Sequence, residues 1–261
     1  MIHLGRFKNK VMMVTGAAQG IGRSVALYAA KEGAKVLMVD RSEMLYDVCR
    51  EDVFEYCTVK PFIADMEVFE GCQLAVNEAV NTWGGIDILI NNVGGTIWAK
   101  PYQHYQPEQI DKEIRRSLYP TLWCCRAVLP QMLLQGGGAI VNVSSIATRS
   151  INRVPYAAAK GGVNAITASL AFEFAEKNIR INAVATGGTL APERKIPRNA
   201  NALSEDEKHW YQQIIDQTTS TSLMKRYGTI EEQVSAILFL ASDEASYITG
   251  HVLPVGGGDQ G

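Results

Sequence analysis

No stretch of the 261-residue chain offers the ~18 consecutive apolar residues of a membrane span. The first ten residues carry charges with no apolar run behind them, so no secretory leader is expected and the cytoplasm is the expected compartment. Charge of one sign is also missing. Twenty-five Lys and Arg face 27 Asp and Glu, a net charge of −2, which lacks the basic footprint of a nucleic-acid or anionic-membrane binder. Cysteine and histidine are few and poorly spaced for a metal. Cys49, Cys57, Cys72, Cys124 and Cys125 form no C-x-x-C pair, and the adjacent Cys124 and Cys125 point to different sides of a helix. His3, His104, His209 and His251 are scattered, so no metal is expected. With 47% hydrophobic and 20% charged residues, the remaining class is a folded globular protein.

Apolar β-type runs alternate with amphipathic stretches from end to end, the pattern of β-α-β units around a parallel sheet. Strands are expected at 11–15, 35–40, 60–64, 86–91, 139–144, 180–185 and 251–255, and helices at 21–32, 67–83, 107–134, 156–177 and 230–241. This predicts one α/β domain over 1–261, a doubly wound seven-stranded parallel sheet with helices on both faces. Its ligand crevice belongs at the carboxyl ends of the strands. One segment interrupts the alternation. From Gly187 to Gly228 there is no strand pattern, only a short helical piece at 204–216, and connections normally run about 4–6 residues. An insertion of this length is expected to be a lid.

The first strand runs into Thr15-Gly16-Ala17-Ala18-Gln19-Gly20-Ile21-Gly22, and an amphipathic helix follows. Glycines here let the backbone turn tightly and approach a pyrophosphate, whose charge then meets the N–H groups of the helix start. A second strand leads to Asp40, 20 positions beyond Gly20, where a carboxylate accepts hydrogen bonds from ribose hydroxyls and repels a 2′-phosphate. The expected cofactor is therefore NAD. Arg41 argues the other way, but the loop carries Gln19 where a basic residue would favour NADP.

The spacing G-x-x-x-G-x-G resembles the short-chain dehydrogenase/reductase family. So do Asp65 after the third strand, Asn91-Asn92-Val93-Gly94 after the fourth, Ser144-Ser145 after the fifth, Tyr156-x-x-x-Lys160, and Ile248-Thr249-Gly250. The resemblance implies a Rossmann-type fold. It also implies a cofactor site of Gly16, Gln19, Gly20, Ile21, Gly22, Asp40, Arg41, Asp65, Met66, Asn92, Gly94, Tyr156, Lys160 and Thr189. Asp65 and Met66 would cup the adenine, and Asn92 would lie against a ribose. Three positions depart from the pattern. Ser117 stands where the family has an Asn that holds a water in a proton relay, Thr186-Gly187 replaces Pro-Gly and leaves that turn less rigid, and Gly256 replaces an Asp.

Tyr156 and Lys160, four apart at a helix start, share one face. A free phenol titrates near ~10, and a neighbouring ammonium favours its ionised form. Such a phenolate takes the proton of a substrate hydroxyl while hydride leaves the same carbon, and Ser145 holds the substrate oxygen. The catalytic set implied is Ser145, Tyr156 and Lys160, with Ser117 in the relay. Arg194, Lys195 and Arg198 in the insertion, with Arg149 and Arg153 before the tyrosine, suggest an anionic substrate, Arg being the better fork for a carboxylate. Substrate contacts are assigned to Ser145, Tyr156, Arg153, Arg194 and Arg198, and Ile97, Trp98 and Leu190 are expected to wall a ring. Within the family, the stretches 91–96, 115–118 and 188–194 resemble the cis-dihydrodiol carboxylate dehydrogenases of bacterial benzoate breakdown. That resemblance implies a carboxylated cyclic diol oxidised to catechol with loss of carbon dioxide. A 3-oxoacyl reductase, a sugar-alcohol dehydrogenase and, more remotely, a non-catalytic dinucleotide sensor remain alternatives. Family members commonly form homotetramers through the long helices, so a homo-oligomer is expected.

Overall fold

A computed structural model describes residues 5–199 and 202–261, so His3 and positions 200 and 201 of the insertion lie outside the described residues. β1 (Val11–Thr15), β2 (Lys35–Asp40), β3 (Thr58–Ile63), β4 (Ile88–Asn91), β5 (Gly138–Ser145) and β6 (Ile179–Thr186) are six strands of the main sheet. Two short strands follow, β7 (Thr189–Leu190) and β8 (Gly228–Thr229), and β9 (Val252–Val255) completes the main sheet. Its order is β3-β2-β1-β4-β5-β6-β9, with every pairing parallel. Chain order reverses between β1 and β4, and the crevice of such a sheet opens at the carboxyl ends there.

Side chains of successive strand residues enter opposite layers. Met12 and Val14 of β1, with Val36 and Met38 of β2, join a core under α1 (Gly20–Lys31) and α8 (Ile230–Ala241). Met13, Leu37 and Val39 join the core under α3 (Phe69–Trp83) and α5 (Tyr119–Gln135). Because both faces are covered, the strands read as continuous apolar runs and not as alternation. Burying each such Leu, Ile, Val or Met stabilises by about 1.5–3 kcal/mol. The five cysteines are free thiols, and the fully buried Cys72 and Cys124 lie 3.2 Å apart between α3 and α5.

The structure departs from the sequence expectation in several places. The single helix expected at 107–134 is two, α4 (Pro107–Ser117) and α5, broken at Leu118, whose φ of −119° leaves the helical range. Pro120 has no N–H to donate into the preceding turn, so the hydrogen-bond ladder is interrupted there and a new helix starts. A six-residue α2 (Met44–Cys49) follows β2. The insertion does contain strands, since β7 and β8 pair in parallel and tie its two ends together. Its helix α7 (Glu205–Thr221) runs five residues beyond the expected end, opened by a reciprocal Ser204–Glu207 cap. α6 (Val154–Phe174) starts two residues early and carries Tyr156 and Lys160 in its first two turns.

Candidate active site

The glycine loop stands where β1 gives way to α1. Gly16 and Gly20 have φ of +65° and +60°, and a Cβ on Gly22 would lie 2.2 Å from the Gly16 carbonyl oxygen. The loop is tied to β2 by Ala17 N–H donating to Val39 O (3.1 Å) and Ala18 N–H donating to the Asp40 carboxylate (3.1 Å). The first turn of α1 has no side-chain cap and no acidic residue, so its N–H groups and the positive end of the helix dipole are left for an anion. Asp40 also accepts from Ser42 N–H and faces the groove beside Asp65 and Met66. These features fit a dinucleotide: a pyrophosphate cradle at one end of the groove, a carboxylate for ribose hydroxyls, and the apolar Met66 beside Asp65.

Several expected cofactor residues have other partners. Asn92 lines the groove, but its amide donates to Thr15 O (3.0 Å) and Gly16 O (3.2 Å), fastening β4 to the glycine loop. Arg41 reaches Glu67 (3.4 Å), which Arg116 also grips (2.7 Å). Gln19 turns toward the insertion: its amide N–H donates to Ile196 O (3.0 Å) and its oxygen accepts from Ile196 N–H (3.3 Å). A side-chain amide thus imitates a strand pairing across the groove. Thr189 lines the neighbouring cavity and donates to Gly187 O. The turn expected to loosen at Thr186-Gly187 is pinned, because Gly187 N–H donates to Val255 O (2.9 Å) and Thr186 Oγ1 to Ser144 O (3.2 Å).

β5 ends at Ser145, and α6 brings Tyr156 and Lys160 up beside it. Ser145 Oγ accepts from Ala147 N–H (3.1 Å) and donates to Thr186 O (3.3 Å). Lys160 is buried, its Nζ donating to Val143 O (2.6 Å) and lying 5.9 Å from the centre of the Tyr156 ring, while the Arg153 guanidinium lies 6.0 Å from the same ring. Burial, then the nearby Arg198, lowers the Lys160 ammonium to about 7. Gly94 makes room for it, since a Cβ there would come 3.1 Å from Nζ. Ser117, at the end of α4, accepts from Gly95 N–H (3.2 Å).

Tyr156 borders both the groove and a second cavity of about 490 Å³, within the range of small-molecule sites. Ser145, Arg153, Arg194 and Arg198 line this cavity. Burial, then Arg198, lowers Arg194 to about 10, and burial lowers Arg153 and Arg198 as well. Arg194 is exposed and Arg153 and Arg198 are half-buried, so three guanidiniums gather at the mouth and wall of the cavity, an arrangement that attracts an anion. The expected wall is partly corrected. Ile97 lines the cavity, whereas Trp98 lies under the Lys112 ammonium and Leu190 is 65% exposed and borders a different depression. Tyr211, Ile214, Ile215 and Thr218 of α7, with Tyr227, complete the wall. Their spacing of i, i+3, i+4 and i+7 was the signal available for them. Arg149 is exposed and Lys195 borders the other depression. Among the described residues no cluster of His, Cys, Asp or Glu is placed to hold a metal ion, and no helix is long and apolar enough to cross a membrane.

The family described as enoyl-(acyl carrier protein) reductase matches residues 16–259. The chain is 60% identical to the 1,6-dihydroxycyclohexa-2,4-diene-1-carboxylate dehydrogenase of Acinetobacter baylyi, covering 98% of each chain. Against the enzyme of that name from Pseudomonas putida the identity is again 60%, over 98% of this chain and 94% of the relative. The chain belongs to the short-chain dehydrogenase/reductase family. Levodione reductase, a solved structure 29% identical, superposes with a TM-score of 0.86 over 97% of this chain and 98% of that one. This short-chain dehydrogenase is accordingly an oxidoreductase that uses a nicotinamide dinucleotide.

The depressed Lys160 has a measurable consequence for this dehydrogenase. In the unfolded chain its pKa returns to 10.5, so between about 7 and 10.5 the unfolded state binds a proton that the folded state does not. Stability from this group therefore rises with pH across that window, and its burial cost is greatest below pH 7. Compared with Lys160→Met, the wild type is expected to gain thermal stability as pH is raised from 7 to 10. A melting-temperature difference that stays flat or moves the other way would contradict the lowered value.

Proposed function

We propose that the chain oxidises 1,2-dihydroxycyclohexa-3,5-diene-1-carboxylate with NAD, the product losing carbon dioxide to give catechol. The 1,6-dihydroxy-2,4-diene in the relatives' name is the same ring numbered in the opposite sense. The carrying observation is 60% identity over nearly the whole chain to two dehydrogenases so named, and the cationic cavity beside Tyr156 supports it. In this reading Tyr156 removes the proton of the secondary hydroxyl, Ser145 holds that oxygen, and Lys160 stabilises the phenolate. The nicotinamide dinucleotide supplies the hydride acceptor. The oxidised carbon then sits β to the carboxylate, and loss of carbon dioxide aromatises the ring with no further demand on the protein. Gly16, Gly20, Ile21 and Gly22 hold the pyrophosphate, Asp40 the ribose, Arg153, Arg194 and Arg198 the carboxylate, and Ser117 the relay.

A panel of the diol acid and plain alcohols with NAD, following reduced cofactor and released carbon dioxide, tests this. Activity on plain alcohols alone would remove the dihydrodiol assignment and leave the family standing. NAD is favoured over NADP by Asp40, whose carboxylate faces the groove. Asp40→Ser is expected to shift the ratio of kcat/KM for NADP over NAD upward by about tenfold, the effect of removing a close like charge. An unchanged ratio would refute that role.

Segment 187–228 serves as a lid, fastened to the phosphate loop through the Gln19–Ile196 pairing. The protein works in the cytoplasm, where its five free thiols stay reduced. It assembles as a homotetramer through α4, α5 and α6, the last of which exposes 93% of Phe172. Light scattering should return four times the chain mass of 28.6 kDa.

A further inference from the structure

Two charged side chains in the site each hold a buried polar atom with no partner. Glu113, on α4, is fully buried. One carboxylate oxygen accepts from Ile97 N–H (2.8 Å) and Trp98 N–H (2.9 Å), while the other is buried with no partner. The Nε of Arg198 is likewise buried and unpartnered. Burial holds the Glu113 carboxyl above the usual carboxylate range, opposed by the Trp98 and Ile97 N–H groups and then by Arg198, and the other cation near it, Arg116, is already held by Glu67. The guanidinium of Arg198 lies flat on Gly95, where a Cβ would fall 2.1–2.3 Å from its Cζ, Nε and Nη2. Gly95 N–H is bonded to Ser117, one helical turn beyond Glu113 on the same buried face of α4. One helix face therefore fixes the floor under the guanidinium and carries an unsatisfied buried oxygen, while Glu113 and Arg198 are not yet joined by a hydrogen bond in this structure. A lone buried donor and a lone buried acceptor are each costly, and pairing them relieves both.

We propose that Glu113 is the positioning residue for Arg198, its free oxygen accepting the Nε–H so that the terminal N–H groups of the guanidinium face the cavity and grip the substrate's carboxylate. This rests on the acid substrate proposed above. A guanidinium has five donors in a rigid planar fork, so one edge can be held by Glu113 while another binds a carboxylate, which a lysine ammonium cannot reproduce.

The test compares the diol acid with the same cis-diol lacking its carboxylate. Glu113→Gln keeps an oxygen for Ile97 and Trp98, and that bonding aims the amide nitrogen at Arg198, donor against donor. KM for the acid is expected to rise about tenfold with kcat little changed, while kcat/KM for the uncharged diol stays at the wild-type value. Arg198→Gln should raise KM for the acid by a similar factor, and the double variant should raise it no further, since both act through one contact. Arg198→Lys, which leaves the core untouched, should lose the acid preference by a similar factor even if Glu113→Gln fails to fold. A wild type with no preference for the acid overturns the substrate assignment, and the pair's role with it. A wild-type preference that survives Glu113→Gln or Arg198→Lys, or losses that add in the double variant, overturns the pair alone. Equal slowing of both diols in Glu113→Gln also overturns it, leaving Glu113 as a support for the 95–98 loop.

Discussion

Tyr156→Phe is expected to lower kcat by about 10²–10⁴-fold, the range supplied by a positioned general base, while NAD binds as in the wild type. The ring is buried, borders both the groove and the second cavity, and is flanked by Lys160 and Arg153. Phenylalanine fills the same volume in the same rotamer, so only the oxygen is removed, and packing on α6 is undisturbed. The glycine loop, Asp40 and Met66 are untouched and keep the dinucleotide site intact. Loss of turnover without loss of cofactor affinity separates a chemical role from a structural one. Absorbance of the reduced cofactor gives kcat, and calorimetric titration gives the affinity. A variant that keeps more than about a tenth of wild-type kcat would show that the phenol is not the base.

The sheet was legible because each strand is an apolar run bounded by turn residues, and both faces demand apolar side chains. The site's pieces were legible for a related reason: Gly16, Asp40, Ser145, Tyr156 and Lys160 each stand at a strand end or helix start that the pattern locates. What escaped depends on contacts between distant segments. Nothing in Pro107–Ser117 distinguishes Glu113 from the exposed Glu108; only the docking of α4 over residues 95–98 buries one of them. Leu190 and Trp98 were apolar and near in sequence, yet the wall comes from Tyr211, Ile214 and Tyr227, brought in by α7. Gln19 lines the groove as its place in the loop suggested, but its pairing with Ile196, 177 residues away, left no signal in the sequence. Two-residue strands such as β7 and β8 are too short to leave any periodicity.

Gly22→Ala is expected to weaken dinucleotide binding by about 10- to 100-fold, because the energy of overpacking, about 1–3 kcal/mol, falls on the loop that forms the pyrophosphate cradle. On helix propensity alone the substitution would stabilise α1 by about 1 kcal/mol. Packing opposes this. The new methyl would lie 2.2 Å from Gly16 O and 2.5 Å from the Asn92 amide nitrogen, so the glycine loop and the end of β4 must separate. Asn92 fastens those two segments through Thr15 O and Gly16 O, and loosening it also disturbs Gly94, which makes room for Lys160. The damage should therefore appear first in NAD affinity and then in kcat, with secondary structure retained by circular dichroism. Calorimetric titration with NAD checks it, and wild-type affinity in this variant would mean that the pyrophosphate is held elsewhere than at the opening turn of α1.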